Sequence, residues 1–357
     1  MAADFAKVVP ADIIGDSEVP MRSVLSLAVV VFVVGPNIAR AQDYKAYQNY
    51  DFVAGDKIVF EDDFQSEADG EFPAHWKLDA GQAVVNKVDG EPVLALIDGN
   101  YAVVEPRMKT AAYLPDAFTV ELDFLPKAGG FDQIIVFLNR DGDDSRTLHF
   151  GADVSTEGLD HDLSASFPGG DDAFVGKWHH IAFAFRGNQV KCYEDQNRVL
   201  VVPDMGAFKP KTIAFGGIGD KDTPVLFKNV RIAAGGGMNM LQTLTTQGKV
   251  VSHILFDVNS ATVKPQSMGT IVEMAKALKS DASLKIEIGG HTDSDGDAAK
   301  NLALSQARAD AVKQLLVSQG IDQARLTTKG YGSTKPLGPN DSPEGKANNR
   351  RVEFTKM

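Results

Sequence analysis

The chain has 357 residues, of which 43% are hydrophobic, 24% charged and 8% aromatic, a composition that excludes a mainly disordered chain, a collagen and a polytopic membrane protein. Its length suits two domains at ~150 residues each. A net charge of −12 argues against a general nucleic-acid binder, and the single cysteine, Cys192, excludes an intrachain disulfide, an all-cysteine zinc cluster and a Cys-x-x-Cys redox centre.

The first predicted element is a targeting segment that begins inside the chain. After a polar, acidic stretch over residues 1–20, Met21-Arg22 supplies a positive start and residues 24–34 an apolar run. Gly35-Pro36 then breaks the run, and Ala39-Arg40-Ala41 forms a small-x-small cleavage site. The run falls short of the ~20 residues of a spanning helix. Residues 1–41 therefore read as an extension plus a secretory signal peptide, with translation starting at Met21 and cleavage after Ala41, rather than as a retained anchor. No cysteine follows that site to carry a lipid before Cys192, so the mature chain is expected to be exported without a lipid anchor.

Charge divides the rest unevenly. Residues 42–232 hold 18 Lys+Arg against 32 Asp+Glu, net −14, whereas residues 233–357 hold 15 against 12, net +3. The change falls near Gly235-Gly236-Gly237, so residues 233–249 are expected to form a linker between domains over 42–232 and 250–357. The first domain is a series of short alternating runs (57–61, 92–97, 118–124, 133–138, 177–185, 189–193, 198–201, 212–215 and 225–232) separated by Gly, Asp, Asn and Pro. This pattern predicts an all-β sandwich. An outer-membrane barrel is the competitor, but its strands need ~10 residues with a lipid-facing band, and most of these runs are shorter.

Two stretches carry a resemblance. Phe60-Glu61-Asp62-Asp63-Phe64, followed by Gly70, Pro73 and Trp76, and Lys177-Trp178-His179-His180 running on to Tyr193-Glu194-Asp195, resemble the concanavalin-like and laminin-G-like jelly rolls. The resemblance implies a fold more than a function. Glu121 and Asp123 share a strand face, but Leu125-Pro126-Lys127 stand where sandwich glucanases of similar pattern place a second Glu. The acid/base partner of a glycosidase is missing, and the two are expected to be solvated carboxylates on the outer face. Adjacent His179 and His180 must point to opposite faces, which makes them packing and hydrogen-bonding residues rather than ligands of one metal. Asp141-Gly142-Asp143-Asp144 has its glycine misplaced for an EF-hand loop and reads as an acidic turn.

From Val250 the pattern alternates. A strand over 251–256 is followed by a helix over 265–279, a strand over 284–289, a helix over about 298–319 stopped by Gly320, and strands over 325–331 and 350–356. This β-α-β-α-β-β order predicts an α/β domain, a small mixed sheet with helices on one face.

Gly290-His291-Thr292-Asp293, Gly296, Asn301, Leu304-Ser305, Arg308-Ala309, Gly320-Ile321, Arg325-Leu326, Gly330-Tyr331-Gly332, Pro336, Asn340 and Asn348-Asn349-Arg350-Arg351-Val352-Glu353 follow in order. They resemble the OmpA-like peptidoglycan-binding domain from about residue 250 to 355. Asn301, Ser305 and Arg308 fall on one helical face, and Asp293 closes the preceding strand, so a carboxylate and a guanidinium can face one pocket. The resemblance implies peptidoglycan as the partner and Asp293 and Arg308 as the principal pair, with Asp257, Asn301 and Arg350 in support. A meso-diaminopimelate stem exposes an amine and a carboxylate on one carbon. Asp293 would accept from the first and Arg308 would clamp the second. Arg350 is also readable as a structural group at the sheet edge.

Asp293-Ser294-Asp295-Gly296-Asp297 fails calcium-loop spacing, and neither a nucleophile with a base nor a catalytic carboxylate pair is evident. The expectation is a protein that is not an enzyme, has no cofactor or metal, and sits in the periplasm, at the outer membrane or on the cell wall. Its sandwich would meet an outer-membrane protein or, alternatively, act on or bind a glycan as a module docked to the wall.

Overall fold

The computed structural model describes residues 50–127, 134–140, 145–158, 163–167, 170–237 and 239–357, all within one compact unit, Asp43–Met357. The expected targeting segment over residues 1–41 and the acidic turn over residues 141–144 lie outside the described residues. Among the described residues no helix is long and apolar enough to cross a membrane.

The described residues of the first half form thirteen antiparallel strands. They are β1 (Lys57–Asp62), β2 (Trp76–Val88), β3 (Glu91–Pro106), β4 (Ala117–Leu125), β5 (Ile134–Leu138), β6 (Arg146–Phe150), β7 (Asp153–Glu157), β8 (Ser164–Ser166), β9 (His179–Arg186), β10 (Gln189–Glu194), β11 (Asn197–Val202), β12 (Ile213–Gly217) and β13 (Val225–Ala234), with a single-turn helix α1 (Gly170–Phe174) before β9. Hydrogen bonding runs β11-β10-β9-β4-β13-β3-β12-β5-β6-β7-β8, with β1 added to β13 and β2 to β3. The alternating apolar residues read from the sequence face inward. Val120, Leu122 and Phe124 of β4 join Trp76, Phe183, Phe215 and Phe227 in one core. Trp76 Nε1–H donates to Asp62 Oδ2 at 2.9 Å, so the large indole is buried with its one polar atom satisfied.

The second half is a four-stranded mixed sheet ordered β14 (Lys249–Ser252), β17 (Val352–Lys356), β15 (Ile286–His291), β16 (Leu326–Gly332). Only β15 and β16 run parallel. The helices are α2 (Met240–Gln247), α3 (Met268–Ser280), α4 (Ala298–Ser318) and α5 (Pro343–Asn349). The expected strand–helix order is present, but the strand expected over 251–256 ends at Ser252. The chain then turns, and only Phe256 makes a further bridge, to Val263. The segment expected as a linker contains α2, whose Met240 and Leu244 are buried with Ile271, Ile286, Val312 and Phe354. Asn239 caps it by accepting from Gln242 N–H, and Gly248 closes it in the left-handed region at φ 74°.

The halves are packed together. Val53, ahead of the first strand, belongs to the second core. Asn348 of α5 acts like a neighbouring strand, accepting from Ile58 N–H at 2.8 Å and donating to Ile58 C=O at 3.1 Å.

Candidate functional site

Two strand ends and one helix assemble the residues singled out in the sequence. Glycines let α4 lie directly on β15 and β16. A Cβ on Gly290 would sit 2.0 Å from Ser305 C=O, and one on Gly330 would sit 2.6 Å from Gln306 N. Ser305, fully buried, accepts from Gly332 N–H through Oγ at 2.9 Å. This approach brings the face carrying Asn301, Ser305 and Arg308 beside the end of β15, where Asp293 follows.

Asp293 is 9% exposed. Its Oδ1 accepts from Asp295 N–H at 3.1 Å and its Oδ2 from Arg350 Nη1–H at 2.9 Å. Asn301 Nδ2 donates to Asp295 C=O at 2.8 Å, so it ties down the loop rather than presenting its amide to a ligand. Arg308 lies over the ring of Phe256, 4.8 Å from its centroid, and its Nε–H donates to Ser260 C=O at 3.0 Å. Both Nη groups are without a hydrogen-bond partner among the described residues. Partial burial, and then the charge of neighbouring Arg350, lower the Arg308 pKa, while Asp293 opposes them. Asp257 is exposed, its carboxylate free of hydrogen bonds among the described residues.

Asp293 therefore hydrogen-bonds Arg350, while Arg308 stands beside that pair with its Nη donors unused among the described residues. Arg350 is a bridge as well as a supporting contact, because its Nη2–H also donates to Glu61 Oε2 of β1 at 2.8 Å. Burial works against its charge, but Glu61 and Asp293 outweigh burial and raise its pKa. The Arg350 side chain is 42% exposed, so each pair is screened and contributes ~1 kcal/mol or less.

Asp257, Arg308 and Arg350 open on a cavity of about 350 Å³ whose opposite wall is the outer face of the large sheet. There the expectation of solvated carboxylates is corrected, since Glu121 is 4% exposed. Adjacent strands place Glu61, Arg231 and Glu121 in a cross-strand row on β1, β13 and β4. Arg231 donates to Glu61, and His180 of β9 stands between Asp123 Oδ1, at 2.8 Å, and Glu121 Oε2, at 3.4 Å. Burial raises the Glu61 pKa, but the charges of Arg231 and Arg350 reverse this and lower it to about 2. Burial lowers that of His180, but its hydrogen bonds to the Asp123 and Glu121 carboxylates raise it to about 9. His179 points the other way, as the strand alternation requires, with its ring nitrogens at Asp195 and Phe174 C=O. Neither histidine shares a metal position with the other. His253 is also in the cavity wall, 3% exposed, with neither ring nitrogen hydrogen-bonded. Burial, and then the charge of Arg231, push its pKa down to about 3.

No spacing pattern links Glu61, Arg231, His180 and His253 to the C-terminal motif. The one available signal was Glu121 and Asp123 sharing a face, and their burial depends on a domain more than a hundred residues away.

An α/β domain with glycine-supported contact between α4 and the parallel strands, and with an Asp–Arg site at that junction, matches a known class. Residues 255–350 match the OmpA family and form an OmpA family domain. Within that class, the chain is 42% identical over 104 residues to the probable lipoprotein YiaD of Escherichia coli strain K12, covering 29% of this chain and 48% of that protein. It is 34% identical over 108 residues to the peptidoglycan-associated lipoprotein of Pseudomonas aeruginosa, covering 30% and 64%. The crystal structure of the peptidoglycan-associated lipoprotein from Burkholderia pseudomallei aligns at 33% identity over 29% of this chain and 88% of that one, with a TM-score of 0.28. The matches to the two curated proteins thus span less than two thirds of either.

Proposed function

We propose that this is a non-catalytic envelope protein that holds peptidoglycan non-covalently at the Asp293–Arg308 site. The supporting observation is that Arg308, fixed by Phe256 and Ser260, keeps both Nη groups free at a cavity next to the Asp293–Arg350 pair. A planar guanidinium held at its Nε end is prepared to take a carboxylate bidentately. Asp293 has used two of about four lone-pair sites, so it can still accept from an ammonium group. Asp257 adds a carboxylate free of hydrogen bonds among the described residues. A meso-diaminopimelate stem, with amine and carboxylate on one carbon, supplies both partners, whereas a lysine-type stem lacks the carboxylate.

The domain plan proposed is a concanavalin-like sandwich over 42–232, a connecting segment over 233–249 and the wall-binding domain over 250–357, exported behind a signal peptide that ends at Ala41. A site of two charged anchors binds weakly, and a polymeric wall offering many stems compensates. The test is co-sedimentation with purified diaminopimelate-type sacculi: Asp293→Ala and Arg308→Ala are each expected to leave the protein in the supernatant with an unchanged fold. Full sedimentation of both variants would refute the function.

A further inference from the structure

The family site uses residues of the C-terminal domain alone, yet the cavity it opens on has a second wall. Both walls hold unspent hydrogen-bonding capacity. On the C-terminal side the free groups near the mouth include donors, namely the two Nη groups of Arg308 and the ammonium of Lys264, which makes no hydrogen bond among the described residues. On the sheet side they include acceptors. Among the described residues, Glu121 Oε1 is buried without a hydrogen-bond partner, and Asp63, exposed at the rim, accepts only from Gln65 N–H. All four residues line the same cavity.

Deeper in the cavity, Arg231 Nη1 and both nitrogens of His253 are enclosed without hydrogen bonds among the described residues. Buried polar atoms left unpaired cost ~1–3 kcal/mol each, which favours a polar group arriving to meet them. The backbone is shaped for the same wall. β13 shifts register between Lys228 and Arg231, and Asn229 there takes a φ of 55° and donates to Asp123 Oδ2 at 2.6 Å. A bulge of this kind re-aims side chains at a site. At about 350 Å³ the cavity is at the lower end of the ~300–1,000 Å³ of small-ligand pockets, enough for an amino-acid head group but not for a glycan chain.

We propose that the large sheet completes the stem-peptide site. Glu121 and Asp63 join Asp293 in receiving the ammonium group of the ligand, while Lys264 joins Arg308 in holding its carboxylate, so selection for a zwitterionic head group is shared by both halves of the chain. This rests on the peptidoglycan function proposed above and adds that the sheet is a specificity wall of the same pocket.

The test is titration calorimetry of the full chain with the soluble tripeptide L-Ala-γ-D-Glu-meso-diaminopimelate, and with the same peptide acetylated on the diaminopimelate amine. Glu121→Gln is expected to weaken binding of the free-amine peptide about tenfold and Asp63→Asn about threefold. Acetylation is expected to weaken wild-type binding about tenfold and the Glu121→Gln variant markedly less, a coupling that a purely structural role for Glu121 would not produce. If Arg308→Ala abolishes binding while Glu121→Gln and Asp63→Asn bind like wild type, the composite site is overturned and the peptidoglycan function stands. If Arg308→Ala itself binds like wild type, both fall. Should Glu121→Gln fail to fold, Asp63→Asn decides, since that residue is exposed and bonded only within its own turn.

Discussion

Gly290→Ala should separate the two elements that build the site. The new Cβ would lie 2.0 Å from Ser305 C=O and 2.8 Å from its carbonyl carbon, against ~3.3 Å for the closest comfortable carbon–oxygen approach. Both partners are backbone, so α4 must retreat from β15 by roughly 1 Å or the strand must bend. Overpacking costs ~1–3 kcal/mol, and a backbone-to-backbone collision belongs at the upper end. With a melting shift of ~4–8 °C per kcal/mol for a domain of this size, Tm should fall by about 10 °C or more. Arg308 moves with the helix and Asp293 with the strand, so retention on sacculi should fall about tenfold as well. The control is the adjacent glycine. A Cβ on Gly289 meets only side-chain atoms, Tyr331 Cε2 at 3.1 Å and His291 Nε2 at 3.3 Å. The loss of unfolded-state entropy on Gly→Ala offsets part of any cost there. Scanning calorimetry and co-sedimentation of both variants decide the matter: equal Tm values for Gly289→Ala and Gly290→Ala would refute the close-approach argument.

Asn348→Ala removes both hydrogen bonds to Ile58 and leaves its buried N–H without that partner, a loss of ~1–3 kcal/mol. The Ile58 amide should then exchange with deuterium at least tenfold faster, and an unchanged rate would show that the two halves do not depend on this contact. Stability should peak near pH 6.5. His253, its pKa lowered to about 3 by burial and then by Arg231, and His291, lowered by burial and then by Arg351, contribute stability present above their unfolded value near 6.5 and lost as pH falls. Glu61, lowered to about 2 despite burial, adds to the acid loss below 4.5. Burial raises the Glu194 pKa to about 9, and the His180 pKa reaches a similar value, so their contributions decline as pH rises to and through 9. A Tm that climbs steadily from pH 6.5 to 9 would contradict these assignments.

Much of the C-terminal half was legible because its determinants are local. The apolar stripe of α3, the stop at Gly320 and the inward alternation of β15 are periodicities within single segments, whereas the face that α4 buries, Ser305, Ala309, Val312 and Leu316, is not the Leu304, Ala307, Ala311 and Leu315 stripe that its sequence suggests. The alternation of β4 was equally readable, and it correctly separated Val120, Leu122 and Phe124 from Glu121 and Asp123. What that alternation could not say is what lies against the second face. In an isolated sheet that face meets water, and here it forms the wall of a cavity closed by another domain. Arg350 shows the same limit, since its bond to Glu61 joins residues 289 positions apart. Gly290 was visible as part of a motif, but its reason, the Ser305 carbonyl 2.0 Å from a hypothetical side chain, exists only once helix and strand are packed. The helix α2 was missed because three glycines precede it and its apolar face is short, so its helical form is stabilised by the core it covers.

The most direct measurement is co-sedimentation of the wild-type chain with two kinds of sacculi at equal mass, one cross-linked through meso-diaminopimelate and one through lysine. A pocket that pairs Arg308 with a carboxylate and Asp293 with an ammonium on the same carbon predicts retention on the first and little on the second. Equal retention on both would contradict it.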